Sequence, residues 1–547
     1  MKAAFANSAC AARRSAKLRS ATVQCCTVAP ASSEPEPGQD ELPILSALRA
    51  ESKRVRAAFF CPGHRLGVGI AAPFKEALRG HGGMQLDLPE LPDFDNLFEP
   101  YGPIARAESL ATKLFCRDAR DGEAYRTFFL VNGSTSGVLA SLLALPRLAN
   151  GRRNVVMLPR NAHQSVIYGC VLAGVEPWFI EPEYDGVLDV LHGFTPQKVR
   201  GALLAQPDRA KNVAAILVVS PTYYGVGSDL DELRMIADEM DALLIVDEAH
   251  GAHLPFFGPE ERRTKNTSLP RSAVSCGADM IIQSTHKTLS SMSQTAMLHA
   301  RVKLEQPLAA SLRMVQSSSP NALLLASLDA ARWKMANKAP LGLIDALHLA
   351  EQARQRLESI KGVSVLRRPS QFPYMDTLRV TVCLHDAPID GFELDEMLIE
   401  RGVYAELPTM NAMLFIVTDA TTQQDIDILV DGVENAMAEA FSAKLTDSPS
   451  TKSDSIPLPP QSAFGELAML PREAFLGPSE GTPLVASAGR VSSATVCPYP
   501  PGIPVLLPGE RITADCIQYL EAIVERGGTI TGLSDGQVQV VALAAST

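Results

Sequence analysis

The sequence predicts an α/β protein with a mainly parallel sheet and helices on both faces. Short apolar runs of strand length recur between Thr127 and His286: "TFFLV", "NVVMLP", "AAILVV", "ALLIVD" and "ADMIIQ". Helical segments separate them, "VLASLLALPRLA" after the first and "SDLDELRMIADEM" before the fourth. The runs are continuous rather than alternating, as in strands buried on both faces.

Taken in order, "TFFLVNGSTSG" is a strand that ends in a turn of small residues and leads into a helix. "SDLDELRMIADEM" opens on a capping box from Ser228 to Asp231 and keeps Leu230, Leu233, Ile236 and Met240 on one face. After Leu341 the pattern changes, and "DTLRVTVCLHD", "GFELDEMLIERG" and "AMLFIVTD" predict a smaller α+β domain. The expected organisation is a leader and joint over 1–41, a large domain over 42–340 and the small domain over 341–444. A Ser/Pro-rich linker over 445–463 and a third unit over 464–547 complete it.

Several function classes are disfavoured. A net charge of −11 argues against a nucleic-acid partner. No apolar run approaches the roughly 20 residues that a membrane helix needs. The 10 cysteines show no paired spacing, so neither a metal site nor a disulfide scaffold is suggested. The first 33 residues carry Lys2, Arg13, Arg14, Lys17 and Arg19 with no acid before Glu34, and are rich in Ala and Ser. That composition reads as an organelle transit peptide, plastid ahead of mitochondrion, with a disordered basic arm on a cytoplasmic protein as the alternative.

Ligands of parallel sheets sit beyond the carboxyl ends of the strands, where the polar tails of these runs fall. "VDEAH" (246–250) also occurs as a helicase metal box, but the chain has no Gly-Lys dipeptide and so no phosphate loop to accompany it. In "NGSTSG" the hydroxyls of Ser134, Thr135 and Ser136 stand at a helix start that suits an anion; a plain helix cap is the simpler reading. Asp247 ends a strand, His163 follows another, and Lys287 follows a third in "QSTHKTL". Singly these are a cap, a structural histidine and a surface lysine. Together they supply an anion cradle, a flat stacking face, a partner for a ring nitrogen and an amine, which are the needs of a phosphorylated pyridine aldehyde.

With those residues in place, the chain resembles the ornithine/lysine/arginine decarboxylases. The matching pieces are "CPGHRLG", "NGSTSG", "PRNAHQSV", "SPTYYG", "VDEAHGAH", "QSTHKTL" and "MVQSSSPNALLLASLDAAR", with "PYPPGIPVLLPGE" towards the C-terminus. The resemblance implies an aspartate-aminotransferase-like fold, pyridoxal 5'-phosphate as cofactor, a basic amino acid as substrate, and a homodimer or higher homo-oligomer. It implies that Lys287 carries the cofactor, Asp247 holds the pyridine nitrogen protonated and His163 stacks on the ring. Ala249 packs behind the ring and His250 joins the cofactor-binding set. Ser134, Thr135, Ser136, Ser284 and His286 surround the phosphate, and Ser317 to Ser319, with Ser318 foremost, reach the phosphate in the second subunit. Glu406 in "RGVYAELP" becomes the candidate for the substrate's distal cation, against the plain reading of a surface carboxylate.

"PTYYG" stands where "PTYDG" is commoner, and the chain has no room for the N-terminal wing domain of the long inducible enzymes. The choice among arginine, lysine and ornithine stays open. Other enzymes of this fold, the aminotransferases and desulfurases, share the Asp and Lys; a non-catalytic regulator would need a lost cofactor group, and none is lost.

Overall fold

The computed structural model describes residues 38–542, leaving out 78–82, 150–152, 260–267, 447–458, 500–503, 526–528 and some isolated positions. Residues 1–37 of the expected leader and joint, most of the linker and the "PPGI" of the C-terminal motif therefore lie outside the described residues.

Seven strands form the central sheet: β1 (Tyr125–Leu130), β2 (Val155–Pro159), β3 (Glu176–Ile180), β4 (Val213–Val219), β5 (Leu243–Asp247), β6 (Met280–Gln283) and β7 (Ala296–Arg301). Their spatial order is β1-β7-β6-β5-β4-β2-β3. Strands β3, β2, β4, β5 and β6 pair in parallel, while β7 runs antiparallel to both β6 and β1. The carboxyl ends of β2, β4, β5 and β6 therefore reach one edge. The two faces feed separate cores: Val155 and Met157 of β2 point into one, Val156 and Leu158 into the other. A fully buried side chain of this size stabilises the fold by about 1.5–3 kcal/mol.

Helices α1 (Gly133–Leu148) and α2 (Gln164–Ala173) pack together over one face. Helix α3 (Leu230–Glu239) covers the other, burying Leu230, Leu233 and Ile236. Its cap differs from the expectation. Asp229, not Ser228, is the N-cap, and its carboxylate accepts from Glu232 N at 3.0 Å. Ser228 is buried instead, and its N–H donates to Ser220 Oγ at 3.2 Å, so it is committed to the preceding strand end.

The small sheet is antiparallel, with β8 (Ser364–Val365), β9 (Arg379–Cys383), β10 (Leu407–Pro408) and β11 (Ala412–Ile416) in the order β8-β9-β11-β10. Helix α4 (Gly391–Glu400) packs on it, started by a capping box between Asp390 and Glu393. A third core, including Val496, Val505, Leu506, Ile512 and Leu520, belongs to the C-terminal unit, which also contributes α5 (Pro471–Leu476).

Candidate active site

Three strand ends converge on the site. Asp247 is the last residue of β5 and is 6% exposed. Its Oδ1 accepts from Ala249 N at 3.1 Å, which fixes the carboxylate. Burial pushes its pKa up, and the charges of His163 and Lys287 pull it back. Beyond β6, Ser284 leads into a single helical turn, Thr285–Thr288, that carries Lys287.

The Lys287 Nζ lies 3.0 Å from His250 Nε2 and 5.5 Å from the centre of the Tyr223 ring. Burial lowers the lysine pKa, Asp247 opposes this, and the Arg379 guanidinium lowers it further. The net direction favours a neutral amine, the nucleophilic form. His250 is buried, and burial together with the charges of Lys287 and Arg379 holds it well below the usual histidine value, so its imidazole is neutral. Its Nδ1 has no hydrogen-bond partner among the described residues. Ala249 is buried beside it.

His163 caps α2, its Nδ1 accepting from Ser165 N at 3.2 Å and lying 2.8 Å from Ser165 Oγ. That leaves the proton of the neutral ring on Nε2. The side chain is exposed; partial loss of water around it lowers its pKa, Asp247 raises it and Lys287 lowers it.

At the other end, Gly133 opens α1 with φ +73, a conformation that favours glycine. Ser284 Oγ donates to Ser134 Oγ at 2.9 Å, so two of the expected phosphate hydroxyls meet at the helix start. Thr135 beside them is exposed. Ser136 is buried and its hydroxyl donates to Gly133 O at 2.8 Å, which makes it first a brace of the turn. His286 donates from Nδ1 to Thr295 O at 2.7 Å. Ser317, Ser318 and Ser319 are exposed, and Ser317 N donates to Asn132 Oδ1 at 3.1 Å, setting this loop against the start of α1 in its own chain. Glu406 is exposed too, but it is not an isolated surface acid: its Oε1 accepts from Tyr223 OH at 2.9 Å, and it acts electrostatically on Lys287.

Sequence reasoning missed three features. Tyr223 lies over His250, ring centres 4.3 Å apart. Arg379, the first residue of β9, is fully buried; its Nη2 donates to His250 O at 3.1 Å and its Nε lies 3.9 Å from Asp376 Oδ2, while Nη1 has no hydrogen-bond partner among the described residues. A lone cation inside "DTLRVTVC" was the available signal. The third is a polar chain inside the core. Glu248 accepts from Ala273 N at 2.7 Å and from Gln283 Nε2 at 2.6 Å, Gln283 Oε1 accepts from His299 Nε2 at 3.0 Å, and His299 Nδ1 accepts from Thr127 Oγ1 at 2.8 Å. Burial pushes Glu248 up to about 8 and His299 down to about 3. Site and chain alternate by strand parity: Asp247 and Ser284 face the site, whereas Glu248 and Gln283 tie β5 to β6 behind it.

A phosphorylated pyridine aldehyde fits this donor set. The Ser134–Ser284 hydroxyls at the start of a long helix suit a phosphate, a buried carboxylate suits a protonated ring nitrogen, and a lysine amine whose pKa is lowered by burial suits an aldehyde. Among the described residues no group of three or more His, Cys, Asp or Glu side chains is arranged to hold a metal ion, and no helix is long and apolar enough to cross a membrane.

Residues 42–377 match the profile of the Orn/Lys/Arg decarboxylase major domain, and residues 460–539 match that family's C-terminal domain. The chain belongs to the Orn/Lys/Arg decarboxylase family. It is 31% identical to an arginine decarboxylase of Bacillus subtilis over 92% of this chain and 98% of that protein. A lysine decarboxylase of Pseudomonas aeruginosa is 24% identical, over 88% of this chain and 75% of its own length. The solved lysine decarboxylase A of that organism superposes with a TM-score of 0.75 at 22% identity, covering 91% of this chain and 80% of that one. The Francisella novicida lysine decarboxylase gives 0.72 at 20% identity, over 91% and 80%. This member of the family is a pyridoxal-phosphate-dependent decarboxylase of basic amino acids.

Proposed function

We propose that the amino acid is arginine and the products are agmatine and carbon dioxide. The observation that carries this is length-matched similarity: the arginine decarboxylase of Bacillus subtilis aligns over 98% of its length at 31% identity, the Pseudomonas lysine decarboxylase over 75% at 24%. Bound pyridoxal phosphate supplies the electron sink that takes up the pair left when the Cα–carboxylate bond breaks.

The chain's own groups divide the remaining work. Ser134, Thr135, Ser284 and His286 hold the phosphate, with Ser136 bracing the turn. Asp247 stabilises a proton on the ring nitrogen and so makes the sink effective. His163 stacks on the ring, with Ala249 and His250 on its surroundings. Lys287 would hold the cofactor's aldehyde carbon through its amine, whose pKa burial lowers. Arg379 Nη1 is the donor left over for the substrate α-carboxylate, and it orients that group. Glu406, held by the Tyr223 hydroxyl, meets the distal cation at the mouth. Lys287 Nζ and His250 Nε2, 3.0 Å apart, form the pair that holds the proton for Cα.

The working form in this reading is a homodimer in which Ser318 reaches the phosphate of the second subunit. Within residues 1–41, a transit peptide and joint in this reading, the basic first stretch is read as a plastid address, with a mitochondrial address or a basic arm on a cytoplasmic protein as the alternatives; fluorescent fusions of residues 1–41 would test this directly. The decisive assay for substrate is carbon dioxide release from arginine, lysine and ornithine with product analysis. Agmatine formation at the highest kcat/KM supports arginine, and a higher kcat/KM for lysine or ornithine overturns it.

A further inference from the structure

The C-terminal "PYPPGIPVLLPGE" segment has no place in the chemistry above, yet it ends in a carboxylate only 1% exposed, Glu510. Its partner is Arg160, 7% exposed, which follows β2 directly and stands three residues before His163. Arg160 Nη1 donates to Pro504 O at 2.8 Å, and Nη2 donates to Val505 O at 3.2 Å and to Glu510 Oε2 at 2.9 Å. The guanidinium carbon lies 4.3 Å from the centre of the Phe464 ring. Glu510 Oε2 also accepts from Leu507 N at 2.9 Å, and Leu507 is inserted into the core beneath α1 and α2.

A second contact grips the far end of the same helix. Helix α5 packs on α2, where Arg472 Nη1 donates to Leu172 O at 2.6 Å and the Phe475 ring lies 6.3 Å from the Tyr168 ring. The helix that His163 caps is thus held ahead of its first residue and again in its last turn, both times by the C-terminal unit. A buried ion pair adds little net stability over apolar packing, but breaking one partner is costly, so such a pair fixes geometry more than it strengthens a fold.

We propose that the C-terminal unit is the positioning device for His163: the Arg160–Glu510 pair and the α5–α2 contact together hold its imidazole against the cofactor ring. Arg160, Glu510 and Phe475 are positioning residues and touch neither cofactor nor substrate. The inference rests on the stacking role given to His163 above.

The test uses the full-length protein, pyridoxal phosphate as probe, and Glu510→Gln, Phe475→Ala and His163→Ala variants. Glu510→Gln keeps the shape and removes the charge. Phe475 is 45% exposed, so Phe475→Ala loosens the second grip without disturbing the core and serves if Glu510→Gln folds poorly. The readouts are the cofactor dissociation constant, the induced circular dichroism of the bound cofactor, and thermal melting of the protein without cofactor. The expected result is a dissociation constant raised about two- to thirtyfold in each positioning variant, with weaker induced dichroism; melting should change little in Phe475→Ala but fall in Glu510→Gln, which leaves the buried Arg160 charge unpaired. Added to His163→Ala, Glu510→Gln should cause no further loss, because both act through one ring. An equal extra loss in that background overturns the proposal, as does an unchanged dissociation constant in both positioning variants. If His163→Ala alone binds cofactor normally, the stacking role fails first and the proposal falls with it.

Discussion

Replacing Glu248 by Gln removes one titration and nearly no atoms, which makes the buried polar chain measurable. Glu248 is fully buried, and its pKa in the fold is raised from the usual 4.5 to about 8. A raised folded pKa means that the native state binds this proton more tightly than the unfolded chain does. Stability from this group is therefore complete below pH 4.5 and is lost as pH rises to 8. At about 1.36 kcal/mol per unit, the loss over that window is about 5 kcal/mol. The amide introduced by Glu248→Gln has no such titration. It can be accommodated if Gln283 turns its own amide over, His299 moves its proton to Nδ1 and Thr127 becomes the acceptor, since each group in the chain can exchange donor and acceptor roles. Glu108, also raised to about 8 by burial, titrates alike in both proteins and cancels in the difference. The assay is urea unfolding of both proteins from about pH 5 to 8.5 at saturating cofactor, and the variant should gain on the wild type by about 1.4 kcal/mol per pH unit until the difference levels off near pH 8. Parallel stability curves for the two proteins would refute the reasoning, because Glu248 would then be ionised in both states.

Lys287→Ala should lose the visible absorbance of the bound cofactor and turnover together; normal turnover would remove Lys287 from the mechanism. Asp247→Asn should retain bound cofactor by absorbance while kcat falls about 100- to 1000-fold, as expected when a group that stabilises developing charge is lost. Tyr223→Phe removes only the hydroxyl that Glu406 accepts, so KM for arginine should rise about two- to tenfold with kcat nearly unchanged. Gly225 has φ +87, and a Cβ there would come within 2.5 Å of Asp376 O. Gly225→Ala should therefore cost about 1–3 kcal/mol in a denaturation assay and raise KM as well, because the Tyr223 turn and the segment leading to Arg379 would be pushed apart.

Much of the large domain is legible in the sequence because its strands are continuous apolar runs whose polar ends coincide with the site. Asp247, Lys287, His163 and the Ser134 turn can each be placed from local pattern, and the sheet edge brings them together. The antiparallel strand β7 is not legible in "AMLHAR", since a short run with a histidine in it carries no strand signal, and that His299 is buried only because Gln283 and Thr127 satisfy it. Local pattern sets the cap of α3 one residue early because Ser228 and Asp229 are both good caps, and burial of Ser228 decides between them. Arg379 and Tyr223 escape because they reach the lysine through tertiary contacts of 92 and 64 residues' separation, which no local pattern records. Glu406 is a candidate from its surroundings in sequence, and its bond to Tyr223 is visible only in the fold.

Two parts of the chain contribute unequally to the pocket. Ser134, His163, Asp247, Ser284 and Lys287, the residues proposed to hold the cofactor, stand at the strand ends of the large sheet, whereas Arg379 lies on the small antiparallel sheet and Glu406 just before one of its strands. In the proposed mechanism a shift of Glu406 against the parallel sheet would change which side chain length spans the gap to it, while Arg379, on the same small sheet, must stay in place to orient the α-carboxylate. Preference among amino acids of different reach is thus open to drift by substitutions around Glu406 that leave β9 and Arg379 where they are.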